Sequence, residues 1–229
     1  MTAQSSNFSR IKQHNAEFPR EIFAAKEINR LLTNVDFPAE RIWLDLRFDL
    51  SMTDPTASSL DVMMISGEAH GIAMLRIQTL YLQQDMETMV TEAIPHELAH
   101  ILHLLDAKQK DTEIGKQHDE DWQEWLYILA PNATPAAKVK GRFDERPVKL
   151  SKGGLAVECE CGGEEGVAVV ADSTGNAIKL QEEELECSSC KFPYHRLPND
   201  SALPTRIAED LKFLEGIKCI KKHYPTLQR

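Results

Sequence analysis

No stretch of the chain approaches the roughly 18 uninterrupted apolar residues that a membrane-spanning helix needs. The first twenty residues, Met1 to Arg20, are polar and mixed in charge, with no apolar segment of the kind a secretory leader carries. The expectation is a cytoplasmic protein with no membrane partner. Positive charge is also in short supply, with 26 Lys and Arg against 36 Asp and Glu and a formal net charge of -10. An acidic chain is not a default nucleic-acid binder, so any such contact needs a local basic patch. Internal repeats and low-complexity tracts are lacking. Cysteine is scarce, five residues in all, yet four of the five lie close together near the C-terminal third. In a reducing compartment, clustered cysteines read as metal ligands before they read as disulfides.

The rest is ordinary globular composition, 42% apolar and 27% charged over 229 residues, enough for a medium domain and a smaller module. Residues 18 to 33 repeat apolar side chains at helical spacing (Phe18, Ile22, Phe23, Ile28, Leu31, Leu32), with Pro19 tolerated in the first turn. A strand follows in which Ile42, Leu44, Leu46 and Phe48 alternate with Trp43, Asp45, Arg47 and Asp49. Ser51 to Ser59, with Asp54-Pro55, reads as a loop. Val62 to Ile65 and Ile72 to Leu80 read as strands around a turn marked by Ser66, Gly67 and Gly71. Together these predict an antiparallel sheet of three or four strands. A long helix is expected from about Gln84 to Leu105, kinked or restarted at Pro95 because proline donates no backbone hydrogen bond. Ala107 to Gln117 reads as a loop, and Asp119 to Leu129 as a further helix ended by Pro131 and Pro135. Near Lys149 the composition changes to glycines, short valine runs and cysteines. Pro198 to Pro204 reads as a linker and Thr205 to His223 as a closing helix.

The segment His96-Glu97-Leu98-Ala99-His100 carries the first chemical signal. Two histidines four apart on a helix lie on one face, one turn apart, and both imidazoles can reach one ion at about 2.0 to 2.1 Å. Glu97 follows the first histidine and is expected beside the ion as a general base toward its bound water. The string sits on an apolar-periodic helix with Ile94, Leu98, Ile101, Leu102 and Leu105. A catalytic zinc wants three protein ligands and one open position. His118 is the first choice, since it opens the next helix after a loop, and Trp122, one turn on, would wall the site. The competitors are His103, which lies about 10 Å along the axis from His96, then Asp106, Glu120 and Glu124.

Cys159-Glu160-Cys161 and Cys187-Ser188-Ser189-Cys190 form the second constellation. Four thiolates make a closed tetrahedral zinc site that adds folding free energy to a small module. Between the pairs, Val167 to Val170 and Ala177 to Leu180 are expected as hairpin strands about a turn at Asp172 to Asn176. Cys219 has no partner in this pattern.

These residues resemble the SprT-like zinc metallopeptidases, a group that includes the Spartan proteases. Ile94-Pro95-His96-Glu97-Leu98-Ala99-His100 looks like the family's active helix, proline included. His118-Asp119-Glu120-Asp121-Trp122 resembles its third-histidine segment, with Asp119 where the family has glycine. Leu129, Pro131 and Pro135 are similar to the turn that follows, and the cysteine pairs resemble the ribbon behind many such domains. The resemblance spans roughly residues 15 to 195. It implies an α+β fold: a small zincin-like domain of helices on a short antiparallel sheet (1–148), a β-hairpin zinc ribbon (149–198), then a linker and C-terminal helix (199–229). It also implies two zinc ions, one catalytic and one structural, and a peptidase whose relatives act on proteins bound or crosslinked to DNA.

The expected activity is hydrolysis of protein or peptide substrates with Glu97 as base. The alternatives are a non-catalytic DNA- or protein-binding factor with structural zinc, and a zinc hydrolase for a non-peptide substrate. A purely structural site has no need of a base such as Glu97. DNA contact is expected to be weak. Glu158, Glu160, Glu164, Glu165, Asp172, Glu182, Glu183, Glu184 and Glu186 crowd the ribbon and repel a phosphate backbone. The basic residues gather instead at Arg206, Lys212, Lys218, Lys221, Lys222, His223 and Arg229.

Overall fold

A computed structural model of the chain describes residues 11–36, 39–113, 115–136, 139, 141–198 and 203–223, with 39 and 221–223 described by backbone alone. The chain divides into two compact units between Phe143 and Asp144. The division falls ahead of the compositional change at Lys149, because helix Arg146–Ser151 belongs to the second unit.

In chain order the first unit holds β1 (Ile11–His14), α1 (Pro19–Asn34), β2 (Ile42–Asp49), β3 (Thr56–Ile65), β4 (Glu68–Gln78), α2 (Thr79–Gln84), α3 (Met86–Thr88), α4 (Ile94–Lys110) and α5 (Glu120–Leu129). The sheet order is β1-β2-β4-β3. β1 and β4 both run parallel to β2, and β3 runs antiparallel to β4. The sheet is therefore mixed, which corrects the antiparallel expectation. Strand direction is set by connections, not by alternation. The helical crossover α1 returns the chain so that β2 runs parallel to β1, and the β3–β4 hairpin brings its second strand, not its first, beside β2.

Within β2 the predicted alternation is present: Ile42, Leu44, Leu46 and Phe48 are buried while Trp43 is exposed. β3 begins at Thr56, so the last four residues of the expected Ser51–Ser59 loop, Thr56–Ser59, are strand. Ser66 (φ 52°) and Gly67 (φ 80°) form the two-residue turn, both residues in the left-handed region that such hairpins favour. Gly71 belongs instead to the interior of β4. A Cβ there would lie 2.7 Å from both Leu105 Cδ2 and Leu60 Cδ1, so the bare backbone lets α4 lie close over the sheet.

The helix expected from about Gln84 starts at Met86: Asp85 ends α2 and caps α3 by accepting from the Thr88 amide at 3.2 Å. A wide π-type turn, Met89–Ala93, leads into α4, and the Ile94 amide reaches back to the Met89 carbonyl. Pro95 then sits in the first turn of α4, where its missing donor costs nothing. α4 continues past the predicted end at Leu105 to Lys110. Its last turn is polar because Gln109 clamps the β3–β4 hairpin, accepting from the Ala69 amide at 2.8 Å and donating to the Gly67 carbonyl at 3.1 Å. Leu98, Ala99, Leu102 and Leu105 of α4 are fully buried, as are Ala73, Leu75 and Ile77 of β4. The Glu21 carboxylate is buried but satisfied. It accepts from the Thr79 hydroxyl at 2.8 Å and from the Glu17 and Phe18 amides at 2.9 and 3.3 Å, which secures the start of α1.

The second unit contains α6 (Arg146–Ser151), β5 (Leu155–Glu158), β6 (Val167–Val170), α7 (Thr174–Gln181), β7 (His195–Arg196) and α8 (Thr205–His223). Its sheet has the order β6-β5-β7, with β6 and β7 antiparallel to β5. The hairpin expected between Val167–Val170 and Ala177–Leu180 is absent. β6 pairs with β5, and Ala177–Leu180 lies in α7, whose start is capped by the Ser173 hydroxyl accepting from the Asn176 amide at 3.2 Å. α8 is integral to this unit. Ile207 packs with Val167, Leu197 and Leu203 in one buried cluster, with Leu150, Ala156, Ala208 and Leu211 around it. Of the basic residues expected to form a tail patch, Lys218 donates to the Ser151 carbonyl at 3.0 Å and Arg206 lies 3.9 Å from Glu164. The side chains of Lys221, Lys222 and His223, and all of Arg229, lie outside the described residues, as do residues 1–10 and 199–202. Among the described residues, no helix is long and apolar enough to cross a membrane.

Candidate metal centres

α4 presents His96 and His100 one turn apart, and the loop after it returns the chain to place His118 beside them. The three Nε2 atoms lie 3.1–3.2 Å from one another. His118 is held at φ 65°, a backbone region costly for a residue with a side chain and frequent at functional sites. Asp119 fixes the register that follows: its carboxylate accepts from the Trp122 amide at 3.0 Å and starts α5. Gly115 makes room for it, since a Cβ there would meet Asp119 Oδ2 at 2.7 Å. Asp119 thus serves as a helix cap.

Three ring nitrogens at this spacing cannot all hydrogen-bond one another. Each Nε2 is either a donor or an acceptor, so at least one contact sets like against like. A cation that takes all three lone pairs removes the conflict. Two ligands at about 2.0 to 2.1 Å in tetrahedral geometry stand about 3.3 Å apart, close to the separations found. Burial, with the neighbouring His118 as a lesser cause, lowers the pKa of His96 to about 4. Burial and the nearby histidines likewise lower His100 to about 4, against an opposing pull from Glu97. Both rings are neutral at pH 7, the form a metal requires.

Trp122 is fully buried and backs the set, its ring centroid 4.9 Å from His96, 5.2 Å from His100 and 4.5 Å from His118. His103 does not join the cluster. It is buried, and its Nε2 lies 3.5 Å from Asp119 Oδ1. Asp106, Glu120 and Glu124 are likewise outside the three-residue group. Asp106 instead accepts from Lys110 Nζ at 2.6 Å.

Glu97 is also outside the ligand set. Its Oε2 accepts from the Ser58 hydroxyl at 2.6 Å and its Oε1 from the Thr56 hydroxyl at 3.2 Å. Both hydroxyl residues fall within the stretch that the sequence pattern alone predicts as a loop. The available signal was their phase: Thr56 and Ser58 continue the inward-facing row of Leu60 and Val62 along β3.

The second unit gathers Cys159, Cys161, Cys187 and Cys190, whose sulfurs lie within 4.8 Å of one another, Cys161 and Cys187 at 3.9 Å. All four are free thiols. Tetrahedral Zn–S bonds of about 2.3 Å place sulfurs about 3.8 Å apart. Each pair lies in a tight backbone turn: the Gly162 amide donates to the Cys159 carbonyl at 3.2 Å and the Lys191 amide to the Cys187 carbonyl at 3.0 Å. Gly162, Gly163 and Lys191 take positive φ to close these turns. Donation from the Cys190 and Ser189 amides lowers the Cys187 pKa to about 5, favouring its thiolate. The Cys190 and Cys159 thiols crowd Cys161 and push it up to about 12. Four thiolates in one place need a cation. The four-cysteine and three-histidine groups can each hold a metal ion.

Comparison of the chain with protein-family models, with curated proteins and with solved structures returns no match.

Proposed function

We propose that the chain is a zinc-dependent peptidase of SprT-like, zincin type, with His96, His100 and His118 as catalytic-site ligands, Glu97 as general base, and a structural zinc on Cys159, Cys161, Cys187 and Cys190. One observation carries the reading. Three imidazole nitrogens converge on a point while the adjacent carboxylate of Glu97 stays out of the set, tethered to hydroxyls on β3. A three-histidine site leaves a fourth position open, and a carboxylate beside it can act as a base toward a water there. The closed four-cysteine site, by contrast, offers no open position.

When bound, zinc would polarise a substrate carbonyl and bring the pKa of a coordinated water towards about 7. Glu97 accepts a proton from the attacking water as the water oxygen bonds to the carbonyl carbon. The C–N bond then breaks, and Glu97 delivers that proton to the departing nitrogen. Trp122 excludes water from the back of the ligand set. The expected substrates are proteins or peptides, including proteins associated with DNA.

The test is cleavage of a denatured protein substrate before and after chelation. Activity that is lost with chelator and returns with zinc supports the reading. Cleavage indifferent to chelator, or none by the zinc-loaded chain, rejects it.

A further inference from the structure

We propose that Thr56 and Ser58 are positioning residues for the general base, holding the Glu97 carboxylate in the orientation from which it takes the proton. The proposal rests on the peptidase reading and adds two residues that the metal-binding motif does not contain. Both hydroxyls come from β3, an edge strand of the sheet, and both are donors to the same carboxylate. The Ser58 bond, at 2.6 Å, has the length of a charge-assisted O–H···O⁻ contact. Thr56 contributes a β-branched side chain with a stiff first torsion, and it is buried.

The strand beneath them is anchored. Thr56 is paired with Ile77 and Ser58 with Leu75, both fully buried residues of β4. The hydroxyls are therefore carried by the sheet, while the carboxylate is carried by α4. A glutamate left to itself would distribute over its rotamers, and ordering it costs side-chain entropy. Two donors, one on each oxygen, select one arrangement in advance. They do not exhaust the carboxylate, which has about four acceptor sites, so lone pairs remain for a water. A misplacement of about 1 Å in a catalytic group can cost about a hundredfold in rate. A merely structural role, satisfying a half-buried carboxylate, would act on stability and leave turnover alone.

The experiment uses the full-length zinc-loaded chain with the single variants Ser58→Ala and Thr56→Val, their combination, the hydroxyl-retaining Ser58→Thr and Thr56→Ser, and Glu97→Gln as reference. Zinc content and melting temperature establish that each variant is folded and loaded. Thr56→Val keeps the side-chain volume, so at least one variant probes the hydroxyl without a cavity. The expected result is kcat reduced about tenfold in each single variant and about a hundredfold in the combination. KM should change less than about twofold, with kcat restored in Ser58→Thr and Thr56→Ser.

A second readout needs no turnover. Acetohydroxamate loses a proton on binding an open metal position, and Glu97 is the acceptor for it. Its affinity for the cobalt-loaded chain, followed by visible absorption, should fall about tenfold in the combined variant and at least as far in Glu97→Gln. Glu97→Gln as active as the parent would reject the base assignment itself. An inactive Glu97→Gln beside a combined variant with parental kcat and acetohydroxamate affinity would overturn the positioning role alone.

Discussion

Removing the third histidine separates the two candidates for that role by metal affinity. His118 Nε2 stands 3.1 Å from His100 Nε2 and 3.2 Å from His96 Nε2, whereas His103 contacts Asp119 instead. Zinc binding to a four-ligand protein site is worth about 10 to 16 kcal/mol, or about 2.5 to 4 kcal/mol per ligand. His118→Ala should therefore weaken the histidine site about a hundredfold to a thousandfold. His103→Ala leaves all three ligands in place. It removes the partner of the residue that caps α5, so its effect on zinc should stay within about tenfold, the lower end for an outer-sphere change. Its larger effect should be on stability, about 1–3 kcal/mol for a buried polar side chain removed from its partner. Cobalt substitution resolves the two metal sites, because thiolate ligation gives intense charge-transfer absorption that imidazole ligation lacks. Competition with a chelator then reads the histidine site alone. Strong metal loss in His103→Ala with none in His118→Ala would refute the assignment and move the role to His103.

Other outcomes are expected. Cys187→Ser or Cys190→Ser should remove one equivalent of zinc, lower the melting temperature of the second unit and leave the histidine-site ion in place; an unchanged metal count would reject the ribbon reading. In the chelated chain, stability should fall as pH drops from about 6.5 towards 4. The unfolded histidines protonate near 6.5 while folded His96 and His100 resist until about 4, so the unfolded state binds more protons across that window. Flat melting temperatures over that range would contradict the depressed values. Duplex DNA should bind weakly, with a log–log salt slope of about -0.9 per phosphate neutralised and few phosphates involved. Fluorescence anisotropy at low and moderate salt measures it, and a steep slope would mean a larger basic surface than α8 provides. Cutting the chain after Leu203 is not a clean test of that contact, since it would remove Ile207, Leu214 and Ile217 from the core of the second unit.

Much of the site was legible because its signals are local. The 3.6-residue period exposed α4 and α5, and the His96–His100 spacing follows from one helical turn. The four cysteines announced themselves by pairing in sequence. Longer-range features were not legible. β1 buries only Ile11 and owes its existence to pairing with β2. The parallel run of β2 against β4 depends on which hairpin strand lies inside, which no local pattern records. Thr56 and Ser58 read as loop because Asp54-Pro55 just ahead of them signals a turn, and the partner that suits hydroxyls at inward strand positions, Glu97, lies far along the chain. Ala177–Leu180 follows a turn-like stretch and so reads as the second arm of a hairpin, yet Ala, Lys and Leu favour helix and the Ser173 cap starts one. Gly71 looked like punctuation, when its role is the close approach of Leu105.

The most direct test of the central claim is the pairing of metal content with turnover in Glu97→Gln. Glu97 lies outside the ligand cluster, so the variant should bind the same two equivalents of zinc as the parent. Its amide cannot take the proton, so cleavage of a denatured protein substrate should fall by several orders of magnitude, about 10³-fold or more. Full zinc with lost activity is the predicted result. Parental activity in the zinc-loaded variant, or loss of zinc together with activity, would contradict the assignment of Glu97 as a base outside the metal's ligand set.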